Sequence, residues 1–481
     1  MKNITLLCCL IITPAMLTNP ALAQIDSLWS SILELDDQTS ITSISVADDG
    51  GIVVAGYSGS AFIARFSNEG EFEWTTSLDT ISLQSVITTR EGYNVGVGFP
   101  GWGSETIVYC FDRDGQLEWR SLFQRDSCWI WENSLLELEN GDIMISGTIV
   151  RIINPFDGSF QANLFLLRVT ADGDSIWSEI YEAEHNDWAD SAILTSDGGI
   201  AIVGSYNYDD GSVQLVVRKL NSDFEVDWVV VYDQEFDTKC GIVQTDDGGF
   251  GILASGLGEG PGWGYDAGLL MKLDSSGEIV WQTLISDSAY FNTAGIVYCD
   301  DGSFAIAGTH DPFFGGSSNY YFVKMDASGR KLSESIFGGV NHDVCYAIAQ
   351  TGEGDFILAG NSKSFVEEST LAGWLLKLSN RRNFVGGRPP ISPPSSFSLS
   401  PAFPSPFNSS TFVSFQTPFT GRAKATLVDV NGREMWADWV PAIAGMESQI
   451  AIDGAGLSAG TYWLRFEQNG QAATTRLVLV K

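Results

Sequence analysis

From residue 25 onward the chain alternates short apolar runs with turn residues, and no stretch keeps the 3.6-residue apolar period of a helix. Residues 191–232 display the pattern in four successive runs of strand length, SAILTS, GIAIVGS, QLVVRKL and EVDWVVVY. The DGG between the first two supplies glycine where a hairpin turn needs positive φ. Such units return along the chain: the second run closes on Gly56, Gly98, Gly147, Gly204, Gly256, Gly308 and Gly360, at steps of 42, 49, 57, 52, 52 and 52 residues. A period near fifty residues made of four antiparallel strands predicts a propeller blade, and seven closures predict seven blades.

The last unit is short of one strand. After AGWLLKLS (372–379) the chain passes directly into NRRNFVGGRPPISPPSS, whereas IDSLWSSILEL (25–35) precedes the first unit with no partners of its own. A ring must pair the edges of its terminal blades, so residues 24–35 are expected to supply the outer strand of blade seven and close the ring without a covalent link. The ring then spans residues 24–378.

A second phrase recurs between the third and fourth runs, as in LDSSGEIVW (273–281), and carries Trp29, Trp74, Trp119, Trp177, Trp228 and Trp281 to one place in the outer strand. A flat ring there is expected to cover the neighbouring blade. Blade six reads MDASGRKLSESIF without the Trp, so one junction must be packed differently. The phrase resembles the tryptophan-docking motif of quinoprotein propellers, AxDxxTGxxxW, with a turn one residue shorter, and it resembles the sialidase Asp-box less well. The resemblance covers the repeat alone and implies a blade, not an activity.

Residues 379–396 are rich in Pro, Ser and Gly and read as an extended tether. Beyond them TFVSFQ, KATLVDV, SQIAID, TYWLRFE and TRLVLVK alternate like strands of a separate small β domain over residues 397–481. The fold class expected is therefore all-β, a seven-bladed β-propeller followed by a small Ig-like β-sandwich. Here LSPAFPSPFNSSTFVSFQTP, with Pro404, Pro406, Phe407 and Asn408, resembles the opening of the C-terminal sorting domain recognised by the type IX secretion system. LVDVNGREM (Gly432, Arg433), GLSAGTYWLRF (Gly460, Tyr462) and TTRLVLVK (Arg476, Lys481) follow in the family's order, and Ser405 departs from its usual Asn. The resemblance implies the secretion machinery as partner, export across the outer membrane, and a final location at the cell surface or in the medium. A plain accessory β-sandwich is the other reading of these strands.

The remaining features narrow the class of function. Residues 1–23 carry Lys2, an apolar run from Ile4 to Ile12 and a small-residue ending at Ala21 and Ala23, the pattern of a cleaved secretory signal. No other segment reads as membrane-spanning. Residues 24–378 hold 16 basic against 54 acidic residues, a net of −38, while residues from Phe397 onward balance at 6 and 6. An acidic ring repels phosphate backbones, which excludes nucleic acid as a partner. The five cysteines of the mature chain, Cys110, Cys128, Cys240, Cys299 and Cys345, are scattered and form no disulfide framework. Buried free thiols are expected, with Cys110 and Cys128 the pair that an oxidising compartment would join.

Strand alternation puts the DGG and Asp-to-Gly turns at one end of the ring and the variable loops at the other. Loops that vary on a rigid scaffold are where binding concentrates. The candidates there are Trp102, Trp129, Trp131, Trp188, Tyr206, Tyr208, Trp263, Phe313 and Phe314, with Asp126, Asp187, Asp190, Asp266, Asp311 and Asp343. Aromatic faces beside carboxylates suit a neutral glycan or a peptide ligand; packing under their own loops is the alternative for each. His185, His310 and His342 fall in the same loops, and solvated histidines are the expectation rather than a metal site. No cofactor motif appears, and spacing picks out neither a carboxylate pair nor a nucleophilic triad. The expected function is a non-enzymatic binding or scaffold protein; the rival is a glycan-active hydrolase or lyase working from the variable-loop end.

Overall fold

The computed structural model describes residues 25, 27–35, 38–99, 105–125, 128–154, 159–208, 211–258, 265–285, 290–311, 317–339, 341–366, 370–380, 398–399, 410–416, 421–430, 432–442, 447–454, 456–468 and 470–480. These fall into two compact units that divide after residue 382. The segment read as a signal, residues 1–23, lies outside the described residues, as does the tether apart from Ser379 and Asn380.

The larger unit is a ring of seven four-stranded antiparallel sheets. Blade one runs through Thr39–Val46, Ile52–Ser58, Ser60–Phe66 and Phe72–Ser77, and each later blade repeats that meander. Blades four and five share one long strand, Val226–Gln244, whose first part pairs with Val213–Leu220 and whose second part pairs with Phe250–Gly258. The core lies between the blades as seven apolar layers, one per junction. Cys110 and Cys128 share one of these layers as free thiols.

Blade seven takes its outer strand from the other end of the sequence. Ser27–Leu33 pairs antiparallel with Ala372–Leu378, from Ser27 opposite Leu378 to Leu33 opposite Gly373. Ile25 is buried in the layer between blades six and seven, and Leu33 in the layer between seven and one. The strand therefore seals two junctions as well as one sheet edge.

The regularity of the closing glycines has a steric cause. In six innermost strands the register slips by a bulge opposite that glycine, as between Ala189 and Ser191 opposite Gly204. Blade five departs from the expected closure at Gly256: its inner strand slips once beside that residue, between Phe236 and Thr238, and again between Thr238 and Gly241, where Ala254 stands in the place of the closing glycine. The bulge drives the inner strand's backbone onto its neighbour: a Cβ on Gly204 would stand 1.8 Å from the Trp188 carbonyl oxygen, and one on Gly360 would stand 2.0 Å from that of Val344. No side chain fits there.

The tryptophans dock one blade onto the next. Trp74 Nε1 donates to the Arg113 carbonyl at 2.9 Å, and its ring lies against Gly115, where a Cβ would approach it to 2.5 Å. Trp29, Trp119 and Trp281 make the same bond to Asn68, Ala171 and Ala327. At the junction of blades three and four Phe224 replaces the turn glycine, with φ of 64°, and its ring leans on Trp177 at 5.5 Å. Blade six has Ser333 in the tryptophan's place for a topological reason. Its neighbour, blade seven, has no covalent turn between third and fourth strands, so there is nothing to dock on. Lys324 instead reaches across to Asn380 Oδ1 at 2.6 Å.

In five blades a cation near the end of the third strand, half-buried in blade three and buried in the others, is tied to the first hairpin turn. Arg65, Arg168, Lys219, Lys272 and Lys324 pair with Asp49, Asp142, Asp197, Asp247 and Asp301 of the first hairpin turn, at 2.6 to 2.9 Å. The DGG thus divides its labour. Asp247 takes the cation, Gly248 supplies a φ of 78°, and Gly249 leaves room, because a Cβ on it would stand 2.6 Å from Lys272 Nζ.

The smaller unit packs two sheets face to face. Ser398–Leu399, Ser410–Gln416 and Glu447–Asp453 form one; Glu434–Ala442, Gly421–Asp429, Gly460–Gln468 and Gln471–Leu479 form the other. Val413, Phe415, Ile450 and Ile452 meet Ala425, Leu427, Leu464 and Phe466 in a shared core, with the rings of Phe415 and Phe466 4.4 Å apart. In DVNGR, Asp429 accepts the Arg433 backbone N–H at 2.9 Å across a turn that needs Gly432 at φ 75°. The Tyr462 hydroxyl donates back to the Ser458 carbonyl at 2.7 Å, Gly460 opens that strand, and Arg476 is exposed. Pro404, Pro406, Phe407, Asn408 and Lys481 lie outside the described residues.

Two outcomes follow from these ties. Removing residues 25–35 should sharply lower the thermal melt, and Trp29→Ala should cost about 2–3 kcal/mol in chemical unfolding, somewhat below a fully buried Trp; an unchanged melt of the shortened chain would mean that the ring closes by other means. The Thr245 hydroxyl, then the Lys272 ammonium, hold the Asp247 carboxyl down at about 2. That folded value lies below the ordinary carboxylate value of about 4, so the contribution is complete above about pH 4 and disappears as pH falls through about 2. A melt series in acid should decline across that window, and Asp247→Asn should flatten part of the decline.

Candidate binding surface

Blade three projects beyond the others at the variable end. Its second and third strands, Ile143–Asn154 and Ser159–Val169, have 12 and 11 residues where blade one has 7 and 7. The first strand, Cys128–Glu137, pairs along this extension, with Trp129 opposite Val150 and Trp131 opposite Thr148. Because facing residues share a side and alternate residues share a face, Trp129, Trp131, Ile152 and Phe160 all present to one face of the extension. Trp129 is 41% exposed, Trp131 52% and Phe160 41%.

Blade four supplies the floor. Trp188 meets the edges of Trp131 and Phe160, with ring centroids at 6.0 and 6.3 Å. Its indole Nε1 is buried without a hydrogen-bond partner. The hairpin is braced against the following link: Ala162 N donates to Asn186 Oδ1 at 2.8 Å, Ala183 N to Asn163 Oδ1 at 3.0 Å, and Gln161 Nε2 to the His185 carbonyl at 3.0 Å. The exposed rings therefore stand on a stiff support.

The carboxylates have other occupations. Asp187 is fully buried and holds Arg218 through two contacts, Nη1 to Oδ1 at 2.8 Å and Nη2 to Oδ2 at 2.7 Å. Burial pushes its carboxyl above the ordinary range, and the Arg218 guanidinium opposes that rise. Arg218 also donates to the Tyr206 hydroxyl and lies 5.0 Å over its ring. His185 packs on Tyr208 at 4.3 Å. Asp343, also fully buried, accepts from Ser362 and Ser364 hydroxyls and the Gly339 N–H, which makes it a loop brace. Asp187 and Asp343 thus sit beneath the surface where the sequence pattern placed them as accessible acids; each finds its partner at a distance in sequence that periodicity does not reveal.

Asp311 is half-buried at the end of its strand, and Asp190, the bulge residue of blade four, turns toward the ring axis. Trp102, Trp263, Phe313, Phe314 and Asp126 lie outside the described residues, and the side chain of Asp266 is likewise not described. His342 Nδ1 accepts the Ser318 N–H at 3.2 Å, and His310 stacks on Tyr321. No group of three His, Cys, Asp or Glu able to hold a metal occurs among the described residues. Phe160 and Ile152 escaped the sequence reading; the signal was the long step of 57 residues from Gly147 to Gly204, which reflects added strand as well as added loop.

Replacing Asp187 by Asn should destabilise the ring by about 3–5 kcal/mol, because Arg218 would remain buried without its counter-charge. Chemical denaturation checks this, and wild-type stability in that variant would return Asp187 to the pool of ligand-facing acids.

Comparison with known proteins bears on the two units differently. A search of curated proteins finds no match. Among solved structures, a protein of unknown function from Bacteroides caccae is 14% identical, covering 60% of this chain and 93% of its own, with a TM-score of 0.38. The Dos1 propeller is 9% identical, covers 74% and 95%, and scores 0.46. A fungal alcohol oxidase of the AA5 family in complex with copper is 12% identical, covers 95% and 100%, and scores 0.45. At these scores the seven-bladed assignment rests on the strand pairing of this chain. No helix among the described residues is long and apolar enough to cross a membrane. Residues 401–481 match the model of the secretion system C-terminal sorting domain, so the chain carries such a domain and is marked for export by the type IX route.

Proposed function

We propose that the protein is an exported, non-enzymatic binding or scaffold module, led into the secretory route by a signal in residues 1–23 and released or held at the cell surface after its sorting domain has been read. The reading takes the blades to be of the tryptophan-docking kind, supported by the indole-to-turn bonds such as Trp74 to Arg113. The ligand face is the aromatic surface of blades three and four. One observation carries it: Trp129, Trp131 and Phe160 remain exposed together on a face that the fold stiffens.

Flat rings with an apolar face match the C–H faces of a neutral sugar chain, and the net charge of the ring disfavours an anionic polymer. No observation favours a hydrolase. Two of its proposed acids, Asp187 and Asp343, are buried in internal bonds.

A glycan array with the purified chain should return neutral oligosaccharides, and Trp131→Ala should weaken the strongest by about tenfold, as expected for losing one stacking ring. A polysaccharide hydrolysis screen runs beside it. Release of product, or retention of full affinity by the variant, would overturn the reading.

A further inference from the structure

The bulges that face the closing glycines, and the second slip of blade five opposite Ala254, have a further effect at the ring axis. Each adds one residue to an innermost strand and turns it inward. Thr42, Gln84, Asp190, Cys240, Ala294 and Tyr346 are bulge residues of six blades, and all of them line an axial cavity of about 570 Å³. That volume lies within the range of small-molecule sites.

The cavity has two unlike walls, and the difference comes from how neighbouring blades are tied. In blades one to four a serine follows the bulge: Ser43, Ser85, Ser134 and Ser191. Ser43 accepts the Val86 N–H at 3.1 Å and Ser134 accepts the Ala192 N–H at 3.1 Å, so these hydroxyls stitch one inner strand to the next and leave a polar wall. In blades five and six the same place is glycine. A Cβ on Gly241 would stand 3.1 Å from Ile296 Cγ2, and one on Gly295 would stand 2.9 Å from Ile348 Cγ2. Each glycine therefore seats the isoleucine of the following blade, and Ile242, Ile296 and Ile348 build an apolar wall. Ile44 on the first wall and Thr293 and Tyr346 on the second are the exceptions.

Among the described residues of the lining Asp190 is the only carboxylate, and none of them is Lys or Arg. It sits in a ring of net charge −38, whose field inside a narrow axial cavity favours a cation. The neighbouring Cys240 does not compete for that role. Burial, then the Asp190 charge, push its thiol well above its ordinary value, so it stays a neutral S–H that donates to Asp190.

We infer that the axial cavity is a binding site for a small amphiphilic amine, with its ammonium on Asp190 beside the serine wall and its hydrocarbon or aromatic body against the isoleucines of blades five to seven. The site is separate from the aromatic surface of blades three and four. Its occupant needs one positive charge and one apolar face, and the bulge architecture provides for both without any loop.

The test is isothermal calorimetry on the full chain at low ionic strength, with 2-phenylethylamine and octylamine against 2-phenylethanol and octanol. Each amine should bind at least tenfold more tightly than its alcohol, Asp190→Asn should erase that preference, and Trp131→Ala should leave it intact. Ala294→Phe, which fills the apolar side and leaves Asp190 in place, should weaken both amines by at least tenfold and stands as the check if the Asp190 variant fails to fold. Equal affinity for amine and alcohol, binding of neither amine, a preference that survives in the Asp190 variant, or amine affinity unchanged by Ala294→Phe would each overturn the inference. Loss of glycan binding in the Trp131 variant with amine binding retained keeps the two sites distinguishable.

Discussion

The contact on which the ring depends is the meeting of two backbones at the bulge of each innermost strand. With the Trp188 carbonyl where a Cβ of residue 204 would lie, the second strand can pass only as glycine. The same clash recurs at Gly56, Gly98, Gly308 and Gly360, which makes the glycine the most regular residue in the chain, while blade five, whose inner strand slips twice, passes Ala254 at that place. A bulge adds twist and bends its strand, so the same contact that excludes a side chain also steers seven inner strands around one axis. The interblade layers form only when that geometry is met.

At the hairpin end of the ring most positions are committed. An Asp in the first turn holds a buried cation, one glycine gives the turn its positive φ, another clears space for the cation, and the turn between third and fourth strands receives an indole from the preceding blade. Such an end can vary little. The opposite end has none of these duties, and there the chain lengthens a hairpin in blade three and leaves its rings uncovered. Monotony at one face and variation at the other are consequences of the same docking scheme.

This division explains what was legible in the sequence. The repeat, the strand order and the incomplete last blade are carried by local turn chemistry, and local chemistry is what a periodic pattern records. The absent tryptophan of blade six was visible, but its cause was not, because it lies in the missing covalent turn of blade seven. The buried Lys219 and Lys272 were also in view, one residue before the end of the third run as in QLVVRKL, yet their partners sit a full hairpin away, and Lys377 of AGWLLKLS reaches Asn68 of blade one instead. Asp187 read as a loop acid since Arg218 lies 31 residues further on. The bulge residues were hidden for a different reason: a bulge breaks the two-residue alternation that strand reading relies on, and so Asp190 was placed on the loop face when its side chain turns to the axis.

The two ways of tying inner strands carry a further implication for stability. A serine that accepts a backbone N–H from the next blade satisfies a donor that would otherwise face the cavity, at little apolar gain. A glycine that seats an isoleucine gains apolar contact but gives up a hydrogen-bonding group. A ring built on one solution throughout would have a uniform axis, wholly polar or wholly apolar. Mixing them makes the axis two-faced while the interblade layers, which hold most of the buried apolar surface, remain alike around the circle. The axis is thus free to differ from blade to blade because the fold's stability resides elsewhere, and that freedom is what a binding cavity requires of its scaffold.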